Sequence, residues 1–500
     1  MCDTPDLVLR DARPFGADGT RDVLLSGGRI AEIGPAGTLD GTGRDEIRLD
    51  GRFVGPGLWD CHVHFTQWVE QRRRFDLSGA RSAAEALGLV RSALAESSLA
   101  EGESLTGYGF RDALWPDTPS LPDLDAVAPS VPVVLIGSDL HCAWLNTRAA
   151  ELLEVEPPPS GLVRETEWID ALDRVRMRST MPVDAYREAA EAAARRGVVG
   201  IVDFENADNA TEWPARVSAG VRTLRVEASV WPDRLDDAIA AGLRTGMDLE
   251  PSGLVTMGPL KVVVDGSLNT RTALCWDPYP GLDPAAPHAC GVSSVPVEEL
   301  RALLQRAGAN GIGAAVHAIG DRANTEVLDT FEDLGMTGAI EHAQLLREDD
   351  VARFATLGLV ASVQPEHAMD DRDIAERYWH GRTGRAFPFA SLHAAGATLR
   401  LGSDAPVAPL DPWQAIASAT SRSRDNRAPW HPEQRLPIGV ALAASSRGRS
   451  GVVVGDPADL VVVDRDPFAC SPDELRRMPV TATLLAGRFT WCDFSIRRNS

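Results

Sequence analysis

The chain has 500 residues, of which 44% are hydrophobic and 24% charged. That is ordinary globular composition and excludes a disordered chain, a collagen-like chain and a coiled-coil rod. Fifty basic against 72 acidic residues leave a net charge of −22, which argues against nucleic acid or an anionic membrane as the main partner, because such binding needs a basic face.

Both ends read as β-structure. Short apolar runs at 6–10, 22–33 and 46–54 are separated by Gly and Asp turns, and the style returns at 458–464 and 480–491. One small β-sandwich built by both termini, from residues 1–55 and 448–500, is the expectation. Between them, apolar runs at 53–64, 198–203, 224–230, 260–264, 312–317, 339–342, 358–363 and 397–402 alternate with stretches able to form helices, such as 184–196 and 297–308. Eight strands with crossover helices predict an α/β chain, a (β/α)8 TIM-like barrel over 56–447. A doubly wound sheet loses its main support because no G-x-G-x-x-G follows the first strand. The interval from the first to the second strand is too long for one crossover, so 66–195 is a large insertion after strand 1. It carries strand-like pieces at 104–110 and 131–137 and a helix over 144–153, and is expected to cover the substrate.

The seven cysteines are scattered with no C-x-x-C pair, and Met1–Asp6 are acidic without an apolar core. No apolar run approaches the ~18 residues of a membrane span. Free thiols, no secretory signal and a soluble cytoplasmic protein are expected.

Of the 50 basic residues only one, Lys261, is a lysine. Where arginine serves every other positive charge, a retained lysine suggests chemistry a guanidinium cannot do. Lys261 is read as opening the fourth strand. A buried ammonium loses its proton readily, and a neutral amine can take up CO2 to form a carbamate, a bridge for two metal ions. The plain alternative is an ion pair with a carboxylate such as Asp265.

His62 and His64 end the first strand, and the two-residue period of a strand puts both imidazoles on one side. His317 ends the fifth strand, His342 the sixth and Asp404 the eighth. Each alone is unremarkable; Asp404, for one, could cap a helix. Together, metal-competent groups finish strands 1, 4, 5, 6 and 8, and all such ends converge on one face of a barrel. Weaker candidates near strand ends or in the insertion are His141, Trp68, Arg271, Arg322, Gln364 and His367, with Tyr108 and Trp144 as further lining of an apolar pocket. His288, His380, His393 and His431 read as surface or helix positions.

This pattern resembles the amidohydrolase superfamily: H-x-H, a strand-4 lysine, two further histidines and a strand-8 aspartate. Within it the chain is similar to the amidohydrolase 3 branch, the YtcJ-like proteins and N-substituted formamide deformylases. The likeness rests on Lys-Val-Val-Val-Asp-Gly-Ser-Leu at 261–268, His-Ala-Ile-Gly-Asp-Arg-Ala at 317–323, Glu-His-Ala-Gln at 341–344, Ser-Val-Gln-Pro-Glu-His at 362–367 and Gly-Ser-Asp-Ala-Pro-Val at 402–407. The resemblance implies one or two divalent ions, zinc above all. His62, His64 and Asp404 would hold the more buried ion, His317 and His342 the second, and an N6-carboxylated Lys261 would bridge them.

It implies hydrolysis of a C–N bond in a small amide, N-substituted formamide or cyclic amide by an activated water. Asp404 would carry the proton, and His141 or His367 would help stabilise the oxyanion. A lactone, ester or phosphoester hydrolase on the same site, and a non-catalytic scaffold, are the alternatives. Homo-oligomers are common among such enzymes, and the subunit number is left open. Two stretches depart from the branch, Asn269-Thr270 and Phe389-Ala390, both where substrate contact is expected.

Overall fold

The computed structural model describes residues 6–97, 99, 103–112, 115–138, 142–164, 167, 168, 171 and 181–493. They form two compact units, one from residues 1–65 with 187–500 and the other from 66–186.

The first unit holds the barrel. Its eight parallel strands are Leu58–Val63, Val198–Asp203, Arg225–Val230, Val255–Val263, Ala314–Ala318, Gly338–His342, Val360–Val363 and Thr398–Leu401, each hydrogen-bonded to the next. Parallel strands are covered on both faces, so they read as apolar runs rather than alternating ones. Barrel strand 8 returns to strand 1: Asp404 N–H donates to the His62 carbonyl and His64 N–H to the Ala405 carbonyl, each at 2.8 Å, around the bridge between Val63 and Ala405. Gly402 permits this closure, since a Cβ there would lie 2.8 Å from both the backbone nitrogen and the Cβ of His62.

Barrel strand 4 begins at Val255, so Lys261 lies near its C-terminal end instead of opening it. The proline at 259 hides the strand from a sequence reading. It is tolerated because the ladder to strand 3 is irregular there, between Ala228 and Val230, which frees a position from donating a hydrogen bond.

Both termini share one sheet in the order Arg488–Cys492, Val480–Leu485, Leu460–Val463, Phe53–Pro56, Leu7–Pro14, Arg21–Ser26, Arg29–Pro35, with Asp45–Arg48 also paired to Leu7–Pro14. The apolar run 53–64 is therefore two strands, one in this sheet and one in the barrel. Gly57 divides them: its N–H donates to the Asp459 carbonyl, and a Cβ there would stand 2.4 Å from Val199. Leu9, Ile30, Val54, Leu460 and Leu484 fill the core beneath this sheet.

The second unit is a five-stranded sheet in the order Leu162–Arg164, Cys142–Leu145, Val133–Gly137, Leu105–Phe110, Phe75–Asp76, with helices Ala83–Glu96, Leu121–Val127 and Thr147–Leu153. The helix expected over 144–153 starts later. Residues 142–145 pair as a strand, and the Asn146 side chain accepts from the Ala149 N–H as an N-cap. The unit ends inside the helix Val183–Ala194. Among the described residues, no helix is long and apolar enough to cross a membrane.

Candidate metal centre

Strand 1 delivers His62 and, one step beyond its end, His64. Asp404 stands between them, with its Oδ1 3.4 Å from Nε2 of each ring. From the sixth barrel strand and the helix after the seventh come His342 and His367, whose rings are near-parallel at 15° with centroids 5.8 Å apart. The other Asp404 oxygen, Oδ2, is 3.8 Å from His367 Nε2. Two groups of ligand atoms, His62–His64–Asp404 and His342–His367–Asp404, thus each lie within 4.8 Å of one another and share one carboxylate. Ligands about 2.1 Å from a tetrahedral ion are about 3.4 Å apart, so the distances from Asp404 to His62 and His64 already fit.

The donors suit a cation on a second count. Buried His64 Nδ1, His342 Nδ1, His367 Nε2 and His317 Nε2 have no hydrogen-bond partner among the described residues. Buried polar atoms left unpaired are costly, and a metal ion would satisfy imidazole lone pairs. Burial and the neighbouring Lys261 push His62 down to about 4, and burial with His317 takes His342 well below its usual range, so both rings are neutral and able to ligate. For Asp404, burial works against ionisation, but His62, His64 and His342 outweigh it and hold the carboxyl well below the usual range.

Lys261 is buried, with Nζ 3.3 Å from His62 Nε2 and 4.3 Å above the Phe204 ring. Among the described residues it forms no ion pair. Burial lowers its pKa, only partly opposed by Glu341 and Asp404. Asp265 is not its partner: that carboxylate accepts the backbone N–H groups of Leu274, Ile319 and Gly320 and braces the loops after barrel strands 4 and 5.

Sequence reasoning misses Glu341. Its Oε2 lies 2.7 Å from His62 Nδ1, leaving Nε2 toward Asp404 and Lys261. Alternation along a strand should send Glu341 and His342 to opposite faces. The positive φ of His342, 71°, breaks the alternation, and its ring centroid comes within 5.1 Å of that of His62. Asp404 also has a positive φ, 58°. Non-glycine residues held in this region gather at functional sites, where the surrounding structure enforces them. Asp60, also not singled out, accepts from the Ser403 N–H at 2.8 Å and fixes the loop that carries Asp404. Asp404 is therefore a barrel-closing residue, not a helix cap.

His317 belongs to neither three-ligand group. Its Nε2 is 3.4 Å from Asp265 Oδ1, and its ring packs edge-on against His342 at 4.4 Å. Gln364 reaches the centre, with Nε2 3.3 Å from His62 Nδ1. Arg271 stacks over Tyr378 at 5.4 Å, and Arg322 pairs with Glu326 at 2.7 Å while lying over Trp276. Trp68 is buried under Arg72 on the helix Phe65–Gln71, Tyr108 donates to the Ser138 carbonyl, and Trp144 is core of the second unit. His141 lies outside the described residues. Phe389 is fully buried beneath the Arg422 guanidinium, so its departure from the branch is one of packing, not of substrate contact. Thr270 is tied to Ser267 and Thr272 through hydroxyl contacts.

The sequence model Amidohydro_3, described as the amidohydrolase family, matches residues 45–491. The chain belongs to this family. It is 30% identical to Protein LONG AFTER FAR-RED 3 of Arabidopsis thaliana, over 88% of this chain and 82% of that protein. It is 25% identical to the N-substituted formamide deformylase of Arthrobacter pascens, over 97% and 98%. Among solved structures, an uncharacterized metal-dependent hydrolase of Pyrococcus horikoshii OT3 superposes with a TM-score of 0.80 at 26% identity, covering 94% of this chain and 99% of that one. The barrel, the terminal β-sheet and the metal-competent histidine and aspartate groups are those of an amidohydrolase-family, metal-dependent hydrolase.

Proposed function

We propose that this amidohydrolase cuts a C–N bond in a small amide, an N-substituted formamide or a cyclic amide. The observation that carries the reading is the pair of three-ligand groups joined at Asp404 beside Lys261, which forms no ion pair among the described residues. The likeness to the A. pascens deformylase over nearly the whole of both chains supports the bond class.

Zinc suits a set of imidazoles and one carboxylate. His62, His64 and Asp404 would hold one ion, and His342, with His317 by the family resemblance, a second. Bound divalent ions supply a water acidic enough to ionise near neutral pH and polarise the scissile carbonyl. Lys261 Nζ would add to the carbon of CO2 with release of a proton to solvent, and the carbamate oxygens would offer ligands that no arginine could provide. Asp404 takes the proton of the attacking water and returns it to the leaving nitrogen. Glu341 holds His62 in the tautomer that ligates through Nε2. Gln364, His367, Arg271 and Arg322 are the substrate-contacting candidates. The acidic chain fits an enzyme acting on a small molecule in the cytoplasm, without nucleic acid or membrane as partner.

The test is a parallel panel of N-formyl amines, N-acyl amines, cyclic amides, lactones and phosphoesters offered to metal-loaded protein. Turnover of the amide group, lost on chelation and regained on adding metal, is expected. Turnover confined to lactones or phosphoesters overturns the bond assignment. Less than one tightly held ion per chain, with no turnover, points to a scaffold.

A further inference from the structure

We propose that His367 is itself a metal ligand, completing with His342 and Asp404 the site of a second ion. The inference deepens the metal-dependent reading above and rests on it. It moves His367 out of the substrate-contacting set.

Three observations converge. His367 follows barrel strand 7 on the short helix Pro365–Asp370 and is 8% exposed, so it is not a rim histidine. Among the described residues its Nε2 is buried without a hydrogen-bond partner, as is His342 Nδ1, while the two rings lie near-parallel and their ligand atoms fall within 4.8 Å of each other and of Asp404. The Nε2 to Asp404 Oδ2 distance of 3.8 Å exceeds the tetrahedral ligand spacing of about 3.4 Å by an amount a small side-chain rotation absorbs. A substrate-binding imidazole would need neither the second unpaired ring beside it nor the shared carboxylate.

Asp404 then divides its oxygens. Oδ1 serves the His62–His64 ion and Oδ2 the His342–His367 ion, which makes it a bridge independent of Lys261. The second ion would take nitrogen ligands from barrel strand 6 and from the helix after strand 7. His317, whose Nε2 faces Asp265, lies outside this three-ligand set.

The experiment measures metal stoichiometry by elemental analysis after dialysis, together with the visible absorption of the Co(II)-substituted protein. The wild type is expected to hold two ions. His367→Ala should keep the first and weaken the second by more than about 100-fold, beyond the 10- to 100-fold loss that removing an outer-shell partner gives. Its Co(II) spectrum should lose the contribution of one ion. His367→Asp, which returns an oxygen donor, should recover part of the second-site affinity. His367→Gln, closer in size and still hydrogen-bonding, guards against a folding defect and should behave as the Ala variant. Retention of both ions with an unchanged Co(II) spectrum in the Ala and Gln variants overturns the proposal, even if turnover falls. A wild type that binds no ion tightly overturns the functional reading itself, so the two failures are distinguishable.

Discussion

Glu341 and His62 form a buried carboxylate–imidazole pair, Oε2 to Nδ1, at 2.7 Å. Burial alone would raise the Glu341 carboxyl, but His62 and Lys261 more than offset that and keep it below the usual range. The carboxylate fixes which ring nitrogen carries the proton and which way the ring faces, and both matter for a ligand. Glu341→Ala should weaken the His62–His64 ion by about 10- to 100-fold. Glu341→Gln, which still accepts a hydrogen bond but carries no charge, should lose less. Competition with a chromophoric chelator reads both affinities. Activity of the Ala variant should return as free metal is raised, whereas a loss that metal does not repair would mean Glu341 acts on substrate instead.

Among the described residues Lys261 has no carboxylate partner, and it sits against Phe204 and His62. Replacing it with alanine should lower metal content and turnover together. Lys261→Arg should not rescue either, because a guanidinium stays charged and cannot form a carbamate. Apo-protein reloaded with metal should regain activity faster with bicarbonate present than in CO2-depleted buffer. Equal rates of reloading, or full metal occupancy in the Ala variant, would remove the bridging role.

Much of this arrangement is legible in the amino-acid sequence. The eight strands can be located because burial on both faces writes them as uninterrupted apolar runs, and the ligands because strand ends on one barrel face must meet. Lys261 is misplaced along its strand because of Pro259, which a central strand would ordinarily refuse and which an irregular ladder excuses. Glu341 stays hidden because its route to His62 depends on the backbone of its neighbour turning to φ 71°, a conformation no spacing rule announces. His367 can be named as a candidate, but not its pairing with His342, since the first lies on a helix after strand 7 and the second ends strand 6. The division of 53–64 at Gly57 needs the position of Val199, which is remote in sequence.

Asp404 reaches His62, His64 and His367 from a loop braced by Asp60 and Ser403. Asp404→Asn keeps shape and the backbone hydrogen bond to His62 but loses the charge and the proton-accepting oxygen. Turnover should fall by at least ~10²-fold, the lower end of what acid–base groups contribute. Circular dichroism and the unfolding midpoint should change little. Metal content decides how the loss arises: retained ions with lost turnover identify the proton carrier, and lost ions identify the ligand role as the larger. Wild-type turnover would exclude both.

The cysteines offer a check on the packing of the barrel that needs no substrate. Cys61, next to His62 in barrel strand 1, is 2% exposed, and burial pushes its thiol up to about 12. Cys275, after barrel strand 4, is raised to about 11, again by burial and then by Asp321. The thiolate is the nucleophile, so at pH 8 both are inaccessible and almost wholly protonated. Cys290, Cys470 and Cys492 are only partly buried. Folded protein treated at pH 8 with a thiol-reactive disulfide, digested and mapped, should carry label at the partly buried sites and none at Cys61 or Cys275. Denaturant should release both, because each is packed in a buried apolar cluster of the barrel unit. Prompt labelling of Cys61 in the folded protein would mean that the strand carrying His62 and leading to His64 is open to solvent, which the closed hydrogen bonding between strands 1 and 8 forbids.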